Sequence, residues 1–328
     1  MSDADFFGLC ETGSAQHIVE AITNGANVNA RDGRERTPLV MLVLKNKPNP
    51  ELITAFVNAG ADVNAQDVYG ATPLILAALR TLNPKIIAAL LQAGAEVNVQ
   101  DREGKTPLME AANDSSPRVI TALLQAGAEV NAKNTRGSTP LMQAATHNRN
   151  PEVALALIKA GAEVNARDKG GGTPLMAAAG WNDNPEVLAA LIKAGADVNA
   201  RDDTHMTALM HAARWKPQIS LDQGAFNVEV ITALVNAGAN VNAKDARGRT
   251  ALMWALVWSP QMAANIDTYN AGIAADKVRI PKVVMMLLEL GADPKAKDDS
   301  GKMAIDYANE NEDLQNTEAL KILEEVSK

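Results

Sequence analysis

The side chains best suited to binding or chemistry in this chain are four tryptophans and four histidines. The tryptophans are Trp181, Trp215, Trp254 and Trp258, all within the stretch 181–258. His205 and His211 are six residues apart, and imidazole is a common metal ligand. No third ligand follows at a suitable spacing, so two histidines alone are a weak metal signal and no metal site is assigned. Catalysis finds as little support. There is no nucleophile elbow, no phosphate-cradling glycine loop and no His–Cys pairing. The Asp and Glu residues recur at periodic surface positions. The expectation is a protein that is not an enzyme and uses no cofactor.

Composition narrows the classes further. Net charge is -8, and the sequence pI of about 5.2 argues against a general nucleic-acid binder, which needs a basic footprint. One cysteine, Cys10, excludes a disulfide framework. The start, "MSDADFFGLC", lacks the basic and apolar regions of a signal peptide. Apolar runs are interrupted well before membrane-spanning length. A cytoplasmic monomer with no membrane contact is the default expectation. Hydrophobic residues make up 47% but aromatics only 3%, so the core is built from aliphatic side chains and methionine.

The elements that must position the tryptophans repeat themselves. "TPL" begins at Thr37, Thr72, Thr106, Thr139 and Thr173, and "TAL" at Thr207 and Thr250. The steps are 35, 34, 33, 34, 34 and 43 residues. "GA" recurs at Gly25, Gly60, Gly94, Gly127, Gly161, Gly195, Gly238 and Gly291, mostly before "[DEN]VNA". Thr173-Pro174 suits the cap and first position of a short Ala-rich helix. Asn184-Pro185 then starts a second helix, and Gly195 ends it. "DKGGG" makes a polar turn before the next threonine. Asn49-Pro50, Asn83-Pro84 and Asn150-Pro151 repeat the second cap.

A period near 33 with T-P-L-x-x-A-A, A-G-A-[DE]-V-N-A and D-x-x-G-x-T-P resembles the ankyrin repeat family, and it does so over nearly the whole chain. The family's usual His after T-P-L is replaced by Met109, Met142, Met176, Met210 and Met253, read here as a packed ladder. The resemblance implies an all-α fold: an ankyrin-repeat solenoid of stacked helix-turn-helix units with short hairpin-like loops. The expected organisation is one domain, 1–328. Residues 1–36 form an N-terminal cap, 37–290 seven internal repeats, and 291–328 a C-terminal cap. Terminal repeats need a polar outer face.

The rhythm breaks twice, with insertions near 216–226 and 259–280, each after a tryptophan in W-x-P-Q. Eight residues past each threonine stand Lys45, Arg80, Asp114, His147, Trp181, Trp215 and Trp258. Four residues past it stand Met41, Leu76, Glu110, Gln143, Ala177, His211 and Trp254. These columns share a helical face. In the family, the end of the first helix and the loop tips face the groove where partners bind. The resemblance therefore implies a partner protein, held by Trp181, Trp215, Trp254 and Trp258, with His211, Met206, Arg247 and His147 around them. The competing reading roofs the tryptophans with insertion residues such as Ile219, Leu221, Phe226, Met262, Ile266 and Tyr269. Another makes them an aromatic cage for a small cation or modified peptide, with Glu229 or Asp222 as counter-charge. A purely structural spacer would bury them.

Two further features stand out. Two residues past "VN", Arg31, Lys133, Arg167, Arg201, Lys244 and Lys297 form a basic column broken by Gln66 and Gln100. Weak surface ion pairs with neighbouring acids are the expected role, ahead of attraction for an acidic partner. Glu35 and His205 stand where other repeats have the turn glycine, so both turns are expected to be reshaped.

Overall fold

The computed structural model describes residues 1–44, 49–80, 83–114, 116–182, 184–214, 224–257, 280–310, 314 and 317–328, with the side chains of 224–227 excepted. Among them there are helices and no strand. They are α1 (Asp3–Thr12), α2 (Ala15–Thr23), α3 (Pro38–Val43), α4 (Pro50–Asn58), α5 (Pro73–Arg80), α6 (Pro84–Gln92), α7 (Pro107–Asp114), α8 (Pro117–Gln125), α9 (Pro140–His147) and α10 (Pro151–Lys159). After them come α11 (Pro174–Trp181), α12 (Pro185–Lys193), α13 (Ala208–Ala213), α14 (Gly224–Asn236) and α15 (Ala251–Leu256). The chain ends with α16 (280–289), α17 (Ala304–Glu310) and α18 (Glu318–Val326). Trp215, Trp258 and most of both insertions lie outside the described residues.

The chain forms two compact bodies, Met1–Glu163 and Val164–Lys328. In the first, α1, α3, α5, α7 and α9 make an inner row, backed by α2, α4, α6, α8 and α10. In the second, α11, α13, α15 and α17 make the inner row, with α12 and α14 behind.

Local chemistry explains the elements. Thr37, Thr139, Thr173 and Thr207 accept the backbone N–H three residues on, and Asn49, Asn83, Asn150 and Asn184 accept the N–H two residues on. Each satisfies a donor that a helix start leaves over. Gly195 follows α12 at φ +89°, a conformation costly for any side chain with a Cβ. Packing follows from size. The pairs Ala77-Ala78, Ala111-Ala112, Ala144-Ala145, Ala178-Ala179 and Ala212-Ala213 are all buried, as are Met109, Met142, Met176, Met210 and Met253. Alanine lets neighbouring inner helices approach closely, and methionine fills the gaps that remain. Cys10 is buried, and Phe6 stacks on Phe56 with centroids 5.9 Å apart.

Glu35 and His205 correct the expectation of reshaped turns. Their φ angles are +60° and +63°, close to the +77° of Gly70 and the +74° of Gly248. Glu35 N–H donates to the Asp32 carbonyl at 2.9 Å and His205 N–H to the Asp202 carbonyl at 2.8 Å, as Gly70 N–H does to Asp67 at 2.9 Å. The turn is kept, and these two residues carry the strain of a left-handed backbone.

Candidate functional site

Each loop before a first helix is organised by one acidic or amide side chain, five residues ahead of the threonine. Asp67, Asp101, Asn134, Asp168, Asp202 and Asp245 each accept two backbone N–H groups on Oδ1, from the residues two and four positions on. This closes the loop and, in the aspartates, leaves the second oxygen for another donor. For Asp202, Asp245 and Asp298 in the second body, that donor is a ring four residues past the threonine position. His211 Nε2 lies 3.0 Å from Asp202 Oδ2, Trp254 Nε1 donates to Asp245 Oδ2 at 3.1 Å, and the Tyr307 hydroxyl donates to Asp298 Oδ2 at 2.6 Å. The ring ties the loop to the start of its own first helix.

Electrostatics follow this geometry. Burial pulls the Asp202 carboxyl up, but hydrogen bonds from His211, Thr204 and the Met206 N–H overcome it and hold it at about 2. Asp298 follows the same course: burial opposes, Tyr307, Ser300 and backbone N–H groups prevail, and it also lies at about 2. Burial and the Asp298 charge push the Tyr307 phenol up to about 12.

The same arrangement decides where the tryptophans stand. Trp254 is 8% exposed, and its ring carries the Arg249 guanidinium 3.9 Å from its centroid and that of Arg214 at 5.5 Å. Arg249 also pairs with Asp245 Oδ2 at 2.9 Å. Trp254 is therefore a structural ring whose cation–π contacts are made by the chain's own arginines, and not a reachable anchor. Trp181, at the end of α11, is 63% exposed. Trp215 and Trp258 share its column but lie outside the described residues, as does Asp222.

The other candidate positions divide in the same way. Met206 is buried, which removes it from any rim. His211 is half-buried, held by Asp202 and set across Gly180, whose added Cβ would lie 3.7 Å from the His211 Cβ. Arg247 is exposed, and its carbonyl accepts the Asp299 N–H at 3.0 Å. His147 is exposed and belongs to the first body. Partial desolvation of its ring and then the charge of Lys105 lower its pKa. In that body Lys105 bridges Glu103 and the buried Glu110, each at 3.2 Å.

The basic column has a further role beyond the one its charges suggest. Arg31 donates to the Gln66 carbonyl at 2.6 Å, Arg167 to Arg201 at 2.8 Å, Arg201 to Lys244, and Lys244 to Lys297 at 2.8 Å. Each side chain reaches the backbone carbonyl of the same column in the next repeat. Gln100 does this without charge, reaching Lys133 at 3.4 Å. The column is an inter-repeat tie, and the expected weak surface ion pair is present beside it at Arg167, 3.7 Å from Asp203 Oδ1.

A second ladder escaped the sequence reading. The asparagine of each "VNA" donates Nδ2–H to the glycine carbonyl of the next repeat and accepts a backbone N–H from that repeat on Oδ1. Asn64 bonds Gly94 and Glu96 at 3.1 and 2.9 Å, Asn165 bonds Gly195 and Asp197 at 3.1 and 2.7 Å, and Asn199 bonds Gly238 and Asn240 at 2.9 and 2.8 Å. Only an amide can give and accept in this way, which is the physical content of an asparagine repeated at every period.

The family model for ankyrin repeats matches residues 7–101, 81–168, 150–221 and 175–266. The chain belongs to the ankyrin repeat family. Ankyrin repeats are in general modules of protein–protein interaction and scaffolds without catalysis of their own. No curated protein matches the chain. Among the described residues, no helix is long and apolar enough to cross a membrane, and no group of three His, Cys, Asp or Glu could hold a metal ion.

Proposed function

We propose that this ankyrin-repeat protein binds another protein through the inner-helix and loop face of its second body, with Trp181 as the apolar anchor. The exposure of Trp181, 63% in a chain with few aromatics, is the observation that carries the reading. Large exposed indoles are frequent interface hot spots and costly to leave in water. His211 lies across Gly180, the residue before Trp181, Arg247 is exposed on a loop of the same body, and Trp215 and Trp258 extend the column in sequence. Trp254 is buried against Arg249, Arg214 and Asp245 and serves the scaffold. The protein acts as a cytoplasmic monomer that recruits a partner, uses no cofactor, and contacts neither nucleic acid nor membrane. The net charge of -8 is consistent with that. An aromatic cage for a small cation has less support, because Arg249 and Arg214 already flank Trp254.

The test is affinity capture from lysate, followed by affinity measurement with whichever protein is retained. Trp181→Ala should weaken the captured partner about thirty-fold, the equivalent of ~2 kcal/mol for a hot spot. A Trp181→Ala protein that folds and binds the partner as tightly as wild type ends this reading.

A further inference from the structure

Counting the N-terminal cap as the first repeat, the sixth, which holds Asp168 and Trp181, departs from the ring-to-carboxylate pattern of the three repeats that follow it. Asp168 accepts Gly170 N–H and Gly172 N–H on Oδ1 at 2.9 and 2.8 Å. Among the described residues no donor reaches its Oδ2. The two positions that supply donors elsewhere are both nearly empty. Four residues past the threonine stands Ala177 in place of His211, Trp254 or Tyr307. One residue before the threonine stands Gly172, where the second and eighth repeats have Arg36 and Arg249. A Cβ added at Gly172 would lie 3.0 Å from Asp168 Oδ2, so a side chain there would meet the carboxylate directly. Ala177 and Gly172 are both partly open to solvent. In the first body the position of Ala177 is filled by Met41, Leu76, Glu110 or Gln143.

Space beside a carboxylate does not by itself name a ligand, but the rest of the chain does. Arg36 places Nε 2.8 Å from Asp32 Oδ2, and Arg249 places its own Nε 3.0 Å from Asp245 Oδ2. Arg249 at the same time lies 3.9 Å over the Trp254 ring. The fold thus holds a guanidinium between a loop carboxylate and an indole. The sixth repeat has the carboxylate and an indole but no arginine at the position of Arg36 and Arg249; its own Arg167 reaches the Arg201 carbonyl at 2.8 Å and Asp203 Oδ1 at 3.7 Å. Trp181 stands one helical turn beyond Ala177 on the same face, about 6 Å along the surface. An extended arginine stem covers that length.

We propose that the sixth repeat receives an arginine side chain of the partner protein, with its guanidinium on Asp168 Oδ2 and its stem along Trp181, in the space left by Gly172 and Ala177. This rests on the reading of Trp181 as a partner-binding residue and names the partner's chemistry. Arginine fits better than lysine because its planar fork pairs with a carboxylate and stacks on an aromatic face together.

The experiment uses the full chain with 15N-labelled backbone and indole groups. N-acetyl-arginine amide is titrated to tens of millimolar, with the lysine and norleucine analogues alongside. The expected result is a saturable shift of the Trp181 indole and of the amides at 169–172 with the arginine probe. Lysine should bind at least three-fold more weakly, and norleucine should give no saturable shift. Asp168→Asn should weaken the arginine midpoint at least five-fold while keeping the loop, because Asn134 makes the same two backbone bonds at 2.9 and 3.0 Å. Ala177→Leu leaves Asp168 untouched and should abolish the titration, with Leu76 as its precedent in the third repeat. Absence of a saturable shift, equal response to all three probes, or an unchanged midpoint in both variants overturns the proposal. A partner captured through Trp181 by a protein that ignores the arginine probe also overturns it, and leaves the proposed binding face standing.

Discussion

Replacing His205 with glycine should make the seventh repeat more stable, although the side chain is removed from a loop beside the proposed binding face. His205 holds φ +63° in a turn where most other repeats use glycine. A left-handed backbone costs an L-residue about 1–2 kcal/mol, and histidine, being more tolerant of it than most, sits near the lower end. Glycine returns roughly 0.5 kcal/mol of that through the greater freedom of its unfolded chain. The side chain itself is exposed and makes no hydrogen bond or ion pair among the described residues. The bonds at this residue are backbone ones: its N–H to Asp202 at 2.8 Å and its carbonyl from Arg201 Nε at 3.4 Å. Both survive the substitution. The net expectation is a gain of about 0.5–1 kcal/mol for His205→Gly. His205→Ala keeps the strain and loses the tolerance, so it should be neutral or slightly worse.

Native-state hydrogen exchange at the amides of 203–206 reads this locally, which suits a repeat array whose parts open separately. A difference of about 1 kcal/mol between the glycine and alanine variants is about five-fold in exchange rate. If exchange in the glycine variant is as fast as in wild type or faster, the strain argument is wrong. The imidazole would then be contributing a contact that outweighs the backbone cost.

Further predictions follow from the ladders and the ring-to-carboxylate bonds. Asn199→Asp keeps the Oδ1 acceptor but sets a carboxylate oxygen against the Gly238 carbonyl, and should cost about 1–2 kcal/mol, read as earlier urea melting of the second body. Trp254→Phe keeps most of the buried ring and loses the bond to Asp245, a cost near 1 kcal/mol. Trp254→Ala leaves a cavity worth roughly 3–5 kcal/mol and is expected to unfold the eighth repeat. Asp202 has a folded pKa of about 2, below its ordinary value, so it stabilises the fold at pH above about 4 and that contribution fades as pH falls toward 2. His211→Ala should shift the acid unfolding of the seventh repeat to higher pH, because the carboxylate loses the strongest of the bonds that keep it ionised.

The architecture was legible because it is local and repeated. Thr-Pro, Asn-Pro and a glycine at the end of each second helix each encode a cap, and thirty-odd residues of spacing fix their order. What sequence did not reveal was which atoms the recurring residues touch. The basic column suggested ion pairs because charge is what a sequence displays. The structure bears this out at Arg167, which pairs with Asp203, but also gives those side chains to carbonyls of the next repeat, and Gln100 in the same column is the signal that the tie does not need charge. The asparagine of "VNA" was visible at every period, yet its two bonds span about thirty residues and become clear only when successive loops lie side by side. Glu35 and His205 suggest reshaped turns from sequence because glycine is the usual residue there. Two backbone bonds and the packing of the next loop were enough to hold the conformation without it.

The tryptophans show why residue type is a poor guide to role. Trp181 and Trp254 are both on inner helices, in columns one helical turn apart. Four residues past the threonine, a ring points back at its own loop, where a spare carboxylate oxygen awaits a donor. An indole there is drawn in, flanked by arginine and buried. Eight residues past the threonine, the loop carboxylate is out of reach, and an indole has nothing in its own repeat to bond. Trp254 therefore completes the scaffold, whereas Trp181 is left with its face open. Combined truncation of the tryptophans would confuse these roles, since loss of binding could come from loss of the eighth repeat. Trp181→Ala alone should leave stability within about 0.5 kcal/mol, as an exposed side chain does, and any loss of partner then belongs to the surface. If that single substitution destabilises the fold by several kcal/mol, Trp181 is packing after all, and the distinction between the two columns fails.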